Sequence, residues 1–423
     1  MHLSCSECGA AANEDRLFCA ACGGLLAFAL DVRAHDAAAL RRRFADRRLL
    51  NGPLDTSGVW RFRDLLPPIA AEHVVTLREN ALPLYEARLG ATYADATSLS
   101  YLHLGMNPTA SFKDAGMTAA ISHAKSRGAR VAVCASTGNT AASMAAYAAR
   151  AGMLALVLVP AGGISEAKMA QTLDYGATVA AIEGDFDRAL ELVRELDPER
   201  VAIVNSVNPY RIEGQKCAAF ALLEARDWVA PDWLVLPGGN LGNTSAFGKG
   251  FREALALGLI DRLPKIAVVQ AAGAAPFVRV FHEGGELHPV HAQTTATAIK
   301  IGAPASWRKA LAEVRGTNGT VLAVTDDEIA DARAVIGRDG IGCEPASAAS
   351  LAGFRKLRAE GTIAREADVV LVLTGHVLKD GAYAGAYHAS RAPFANPIRS
   401  APSDAALHAL IDEVMDASGA VRG

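Results

Sequence analysis

Three short stretches of this chain place lysine, hydroxyl and glycine residues where they can act together. In Asn107-Pro108-Thr109-Ala110-Ser111-Phe112-Lys113-Asp114 a lysine follows a phenylalanine and small residues. Such a setting strips water from an amine, lowers its pKa and makes it a nucleophile. A lone lysine of this kind also reads as a surface side chain with its stem laid on apolar neighbours. Ser136-Thr137-Gly138-Asn139-Thr140 offers hydroxyls and helix-start amides to a carboxylate, or else a plain helix cap. Gly238-Gly239-Asn240-Leu241-Gly242-Asn243-Thr244 frees backbone amides to surround a phosphate at a helix start. Its spacing is neither that of the dinucleotide fingerprint nor that of the nucleotide P-loop. At the N-terminus, Cys5-x2-Cys8 and Cys19-x2-Cys22 form two turns that can aim four thiolates at one point. Gly9 and Gly23, one after each pair, permit the tight backbone this needs. A structural zinc site is the expectation, with a redox dithiol the alternative.

These residues must be held by elements, and the composition says which kind. The chain has 423 residues, 51% of them hydrophobic and 21% charged. Those figures exclude a disordered chain or a disulfide scaffold, and the length suggests two or three domains at about 150 residues each. With 42 Lys+Arg against 45 Asp+Glu there is no net basic field for nucleic acid or an anionic membrane. Met-His-Leu-Ser-Cys opens the chain without a secretory signal, and seven cysteines suit a reducing compartment, so a cytoplasmic protein is expected. Short apolar runs over 131–135, 154–159, 177–182, 201–205, 233–237, 265–271 and 368–374 alternate with Ala-rich helical stretches. That pattern predicts parallel sheets covered by helices, with ligands bound beyond the strands' carboxyl ends. Residues 31–50, with Arg41-Arg42-Arg43 and Arg47-Arg48, read as a basic amphipathic helix whose charges meet acidic neighbours.

Taken in order, the Ser-Phe-Lys-Asp, Ser-Thr-Gly-Asn-Thr and Gly-Gly-Asn-x-Gly-Asn motifs resemble the pyridoxal-phosphate enzymes of the tryptophan-synthase β fold, fold type II. Asn205-Ser206-Val207-Asn208-Pro209-Tyr210-Arg211, Ile301 to Trp307, Cys343-Glu344-Pro345-Ala346-Ser347 and Thr374 to Asp380 resemble threonine synthases more narrowly. The similarity runs from about 55 to 385, and a cysteine ribbon is also similar to that of some members. The resemblance implies an α/β, two-domain architecture with a small four-cysteine zinc ribbon. It divides the chain into a head (1–30), an N-terminal part of the body (31–105), a catalytic body (106–395) with a smaller α/β subdomain around 125–210, and a tail helix (396–423). It implies pyridoxal 5'-phosphate on Lys113 as a Schiff base, Lys113 then moving protons. Asn139 would meet the ring's phenolic oxygen, Gly239, Asn240, Leu241, Gly242 and Asn243 the cofactor phosphate, and Thr374 the pyridine nitrogen. Ser136, Thr137 and Thr140 would receive the substrate carboxylate, and Arg211 with Asn205 and Ser206 the phosphate of O-phospho-L-homoserine. Lys300 and Lys309 are expected to be structural and His376 a packing residue. The activity implied is threonine synthesis by a homo-oligomer, one α/β layer closing on the other to exclude water.

Three positions depart from the family pattern: Ala115 where Arg is usual, Ala303 where Asn is common and Val377 where Gly is usual. They keep open a sister activity, β-replacement on O-phospho-L-serine as in cysteate synthases, or a specialised amino-acid synthase. A non-catalytic scaffold is the rival from another class, opposed by the retained Lys113 and both glycine loops. A zinc-dependent nucleic-acid reader is opposed by Arg16 being the only basic residue between the cysteine pairs.

Overall fold

Runs such as Val-Val-Leu-Val-Leu at 369–373 carry no polar alternation, so a strand made from them must be covered on both faces. In the computed structural model this is what they form. The structure describes every residue except 14–15, 162–165, 185–187, 189–191, 194–195, 198–200 and 420–423. An antiparallel pair, β1 (His2–Cys5) and β2 (Leu26–Ala29), closes the cysteine segment. The larger body sheet is built from β3 (Leu84–Glu86), β4 (Leu99–His103), β9 (Trp233–Pro237), β10 (Lys265–Ala271), β11 (Thr320–Val324) and β12 (Val369–Leu373). The smaller holds β5 (Val131–Ala135), β6 (Leu154–Pro160), β7 (Thr178–Ile182) and β8 (Ala202–Ile203). Their orders are β11-β10-β9-β12-β4-β3, parallel except for β3, and β7-β6-β5-β8, all parallel.

The helices that matter for the site are α1 (Ala37–Arg48), α2 (Lys113–Ser126), α3 (Asn139–Ala151), α4 (Glu166–Asp174), α5 (Pro209–Ala225), α6 (Gly242–Ala256), α7 (Trp307–Gly316) and α8 (Pro345–Ala359). Small residues let α2 and α5 cross with their backbones almost touching. A Cβ on Gly214 would lie 1.9 Å from the Ala115 carbonyl oxygen, and one on Gly116 2.8 Å from that of Arg211. Ala115 itself is buried in this apolar core. Ala303 is exposed, and Val377 packs against Gly342.

Two expectations are corrected. The strand expected over 201–205 shortens to Ala202–Ile203. Beyond it the Asn205 side chain, not its backbone, pairs with β5, donating to the Ala135 oxygen at 3.1 Å and accepting from the Ala135 N–H at 3.3 Å. The helix expected over 31–50 splits into a turn at Val32–Ala34 and α1, where Asp36 caps the Ala39 N–H at 2.7 Å. Arg43 and Arg47 of α1 both pair with Asp64, so its basic run does meet an acidic neighbour. The strands at 84–86, 99–103 and 320–324 were not among the expected runs.

The cysteine segment rests on the body. Phe28 packs edge-on against Tyr210 at 4.9 Å, and the Lys309 ammonium donates to the Leu26 carbonyl at 2.7 Å. Residues Gly381–Gly423 form a second compact unit. It contains α9 (Asp404–Gly419), and Arg399 pairs with Glu413 at 2.7 Å. The last four residues of the expected tail segment lie outside the described residues.

Candidate active site

Strand order brings the motifs together. β9, β12 and β4 lie side by side, so the loops that leave their carboxyl ends meet: 238–244, 374–380 and 104–113. β5 and β8 are neighbours in the other sheet and deliver 136–140 and 205–211. The Lys113 loop is zipped to the Thr374 loop by backbone bonds, Phe112 N–H to the Thr374 oxygen at 2.9 Å and His376 N–H to the Ala110 oxygen at 3.1 Å. His376 stacks beside His103 with ring centres 6.2 Å apart.

Lys113 opens α2, its ammonium 4.3 Å from the centre of the Phe112 ring. Burial pushes its pKa down to about 7, Arg211 adds repulsion, and Glu344 opposes both. Asp114, fully buried, accepts from the Thr109 N–H at 2.7 Å, the Thr109 hydroxyl at 2.5 Å and the Ser143 hydroxyl at 2.5 Å. Burial nonetheless pushes its carboxyl up to about 6. It thereby clamps the lysine loop to α3, the helix entered by the 136–140 loop. Ala110 sits at φ 64°, a left-handed backbone that this clamping sustains.

In the 136–140 loop no side chain caps α3. Ser136 Oγ accepts from the Gly138 N–H at 3.2 Å, and Ser136, Thr137 and Thr140 are all partly exposed at the helix start. The plain-cap alternative therefore fails. In the glycine loop, Leu241 takes φ 64° at the N-terminus of α6, again with no side-chain cap. Asn240 is fully engaged: its Nδ2 donates to Ser206 Oγ at 2.7 Å, and its Oδ1 accepts from the Ala305 N–H at 2.5 Å. Asn243 Nδ2 and Thr244 Oγ1 are buried without a partner. Arg211, 1% exposed, spends one nitrogen on the Val204 oxygen at 3.2 Å and leaves Nε and Nη2 buried and unpartnered. Burial lowers its pKa to about 10. It is no surface ion pair. Buried donors without acceptors are costly, and these are donors that an anion would satisfy.

Sequence reasoning gave no role to Glu344 or Lys379. Glu344 precedes α8 without capping it, and its carboxylate accepts from Asn139 Nδ2 at 3.0 Å and Thr374 Oγ1 at 3.2 Å. Burial raises its pKa, opposed by Asn139, Lys379, Thr374 and Lys113. Lys379 reaches across to Gln171 Oε1 of α4, and Gln171 Nε2 donates to the Thr109 oxygen at 3.3 Å. Both residues lie in stretches that had drawn notice, Cys343 to Ser347 and Thr374 to Asp380.

At the N-terminus the four cysteine sulfurs lie within 4.8 Å of one another, with separations of 3.5 Å for Cys5–Cys22 and 3.6 Å for Cys8–Cys19. A tetrahedron with metal–sulfur bonds of about 2.3 Å has edges near 3.8 Å. The cluster is too open for disulfides and fits a metal ion.

The pattern of the family "Pyridoxal-phosphate dependent enzyme" matches residues 77–375. A threonine synthase of Methanosarcina acetivorans is 44% identical over 388 residues, covering 90% of this chain and 92% of that one. One from Synechocystis is 48% identical over 322 residues, covering 75% and 82%. The chain belongs to the threonine synthase family of pyridoxal-phosphate dependent enzymes. The solved threonine synthase of Escherichia coli superposes with a TM-score of 0.67 over 95% of this chain and 93% of its own, at 20% identity. A threonine deaminase of Solanum lycopersicum gives 0.61 over 81% and 90% at 18% identity, so it shares the fold. The fold is that of the fold-type II pyridoxal-phosphate enzymes. Among the described residues no helix is long and apolar enough to cross a membrane.

Proposed function

We propose that this chain converts O-phospho-L-homoserine and water to L-threonine and phosphate, using pyridoxal 5'-phosphate held on Lys113. One observation carries the reading: two separate sets of buried, unpartnered donors. Asn243 and Thr244 at the start of α6 suit the cofactor phosphate, and Arg211 suits the phosphate of the substrate. Gly239, Asn240, Leu241, Gly242 and Asn243 would present the loop's amides to the first. Asn139 and Thr374 would face the phenolic oxygen and the pyridine nitrogen. Ser136, Thr137 and Thr140 would receive the substrate carboxylate, and Ser206 would help Arg211. Asn205, committed to β5, supports them from behind.

When bound, the cofactor supplies stabilisation of negative charge at the substrate's Cα and along its chain. The protein's part is proton movement and placement. Lys113, once the substrate amine takes its place, is a buried amine with a pKa near neutrality. It can therefore take the proton from Cα and the next from Cβ. Arg211 holds the phosphate as its bond to Cγ breaks. A proton delivered to Cγ leaves the double bond between Cα and Cβ, water adds at Cβ, and a last proton returned to Cα completes threonine. The tie from Lys379 to Gln171 links the two layers and supports closure of the smaller on the larger to keep water out until that step. Cys5, Cys8, Cys19 and Cys22 would hold a structural zinc, and free thiols throughout the chain suit a reducing cytoplasm.

The test is product analysis of cofactor-loaded protein with O-phospho-L-homoserine and with O-phospho-L-serine. Threonine and phosphate in equal amounts from the first, abolished in Lys113→Ala, is the expected result. Preference for phosphoserine would overturn the substrate assignment.

A further inference from the structure

Glu344 is the buried acid at the centre of this site that the reading above leaves without a task. It accepts from two donors at once, Asn139 Nδ2 at 3.0 Å and Thr374 Oγ1 at 3.2 Å. The Asn139 amide has a second N–H to offer the ring's phenolic oxygen, whereas the single Thr374 proton is spent on the carboxylate. A second contact fixes the carboxylate. A Cβ on Gly375 would come within 2.3 Å of its carbon and 2.4 and 2.6 Å of its oxygens, so the glycine of the 374–380 loop is the bed on which it lies. The Glu344 N–H also donates to the Gly375 oxygen at 3.0 Å.

We propose that Glu344 is the positioning residue of the cofactor site: by holding one N–H of the Asn139 amide it keeps the other aimed at the ring's place before the ring arrives, it anchors the Thr374 hydroxyl, and its carboxylate opposes Arg211 at Lys113. The inference rests on pyridoxal phosphate binding here. Without an acceptor, the Asn139 amide would be free to rotate and the Thr374 hydroxyl to turn to Ser347 Oγ, 3.0 Å away. Capture of the ring would then require reorganisation. The charged groups facing Lys113 are Arg211 and Glu344; those facing Glu344 are Lys113 and Lys379. Glu344 is thus the anion opposing Arg211 at the lysine.

The experiment follows the visible absorbance that appears as cofactor-free protein captures pyridoxal phosphate, as a function of pH. Wild type should capture with a midpoint near the pKa of about 7 given to Lys113. Glu344→Gln, nearly the same in shape, should capture roughly tenfold more slowly at its plateau, with the midpoint lowered by about one pH unit as the opposing charge is lost. Glu344→Asp keeps the charge but shortens the reach. It should retain the midpoint and still capture slowly, which a merely structural residue would not separate. Wild-type rate and midpoint in Glu344→Gln overturn the inference. Should that variant not fold, unchanged capture by Glu344→Asp overturns it. A wild type that captures no cofactor, or captures it equally in Lys113→Ala, overturns the functional reading and this inference with it.

Discussion

A lysine beside an arginine, both out of water, gives up its proton far more readily than one in solvent. For Lys113 the neutral amine therefore dominates above a pH of about 7. Reaction of the cofactor-free protein with pyridoxal phosphate should rise with pH through that point and then level off. An ordinary lysine would continue to gain reactivity toward a pH of about 10. A rate still climbing at pH 9 would contradict the burial argument. Arg211 makes the complementary prediction. Arg211→Gln removes charge-assisted bonds to the substrate phosphate, each contributing about 1.5–3 kcal/mol, so KM should rise roughly 10- to 100-fold. Cofactor capture should persist, with its pH midpoint moved upward because the repulsion on Lys113 is gone. At this scale the sequence was informative where residue type dictates chemistry, as at Lys113 and the cysteines. It was silent on Glu344, whose importance lies in reaching Asn139 from 205 positions away. Nothing local to Cys343-Glu344-Pro345 announces that contact.

The elements place these groups with little freedom. α2 begins at Lys113 and α5 begins two residues before Arg211, and the two cross where Gly214 meets the Ala115 carbonyl. Gly214→Ala would gain about 1 kcal/mol of helix propensity. It would also drive a methyl group to within 1.9 Å of that oxygen. Overpacking of this kind costs about 1–3 kcal/mol, so a net loss of stability is expected, read as a lower denaturant midpoint at unchanged slope. A stabilised variant would show that the crossing is looser than described. Most of the parallel strands were legible because unbroken apolar runs have few other homes. β4 was not, since Leu-Ser-Tyr-Leu-His mixes polar and apolar residues; its burial comes from its neighbours β12 and β3. β8 was read too long because an asparagine side chain can take over a strand's hydrogen bonds, which no apolar count reveals.

Across the whole molecule, the cysteine segment is joined to elements of the candidate site rather than appended to them. Phe28 packs on Tyr210, next to Arg211, and Leu26 accepts from Lys309 of α7. One metal ion per chain is expected by elemental analysis, and Cys8→Ser should lose it. Because this contact stands beside α5, metal removal should lower thermal stability and weaken phosphate-substrate binding, while cofactor capture by Lys113 persists. Full activity after complete metal loss would contradict the coupling. The four cysteines were legible from spacing alone, but their seat on the body depends on residues as distant as Lys309. The α2–α5 crossing has one more consequence. With the lysine at the head of one helix and the arginine proposed for the substrate phosphate in the first turn of the other, the junction would act as a ruler whose length cannot be adjusted by sliding. A substrate shorter by one carbon would leave its phosphate up to about 1.5 Å short of Arg211. Selection by chain length is then a property of two backbones in contact, and substitutions lining the pocket would not relax it.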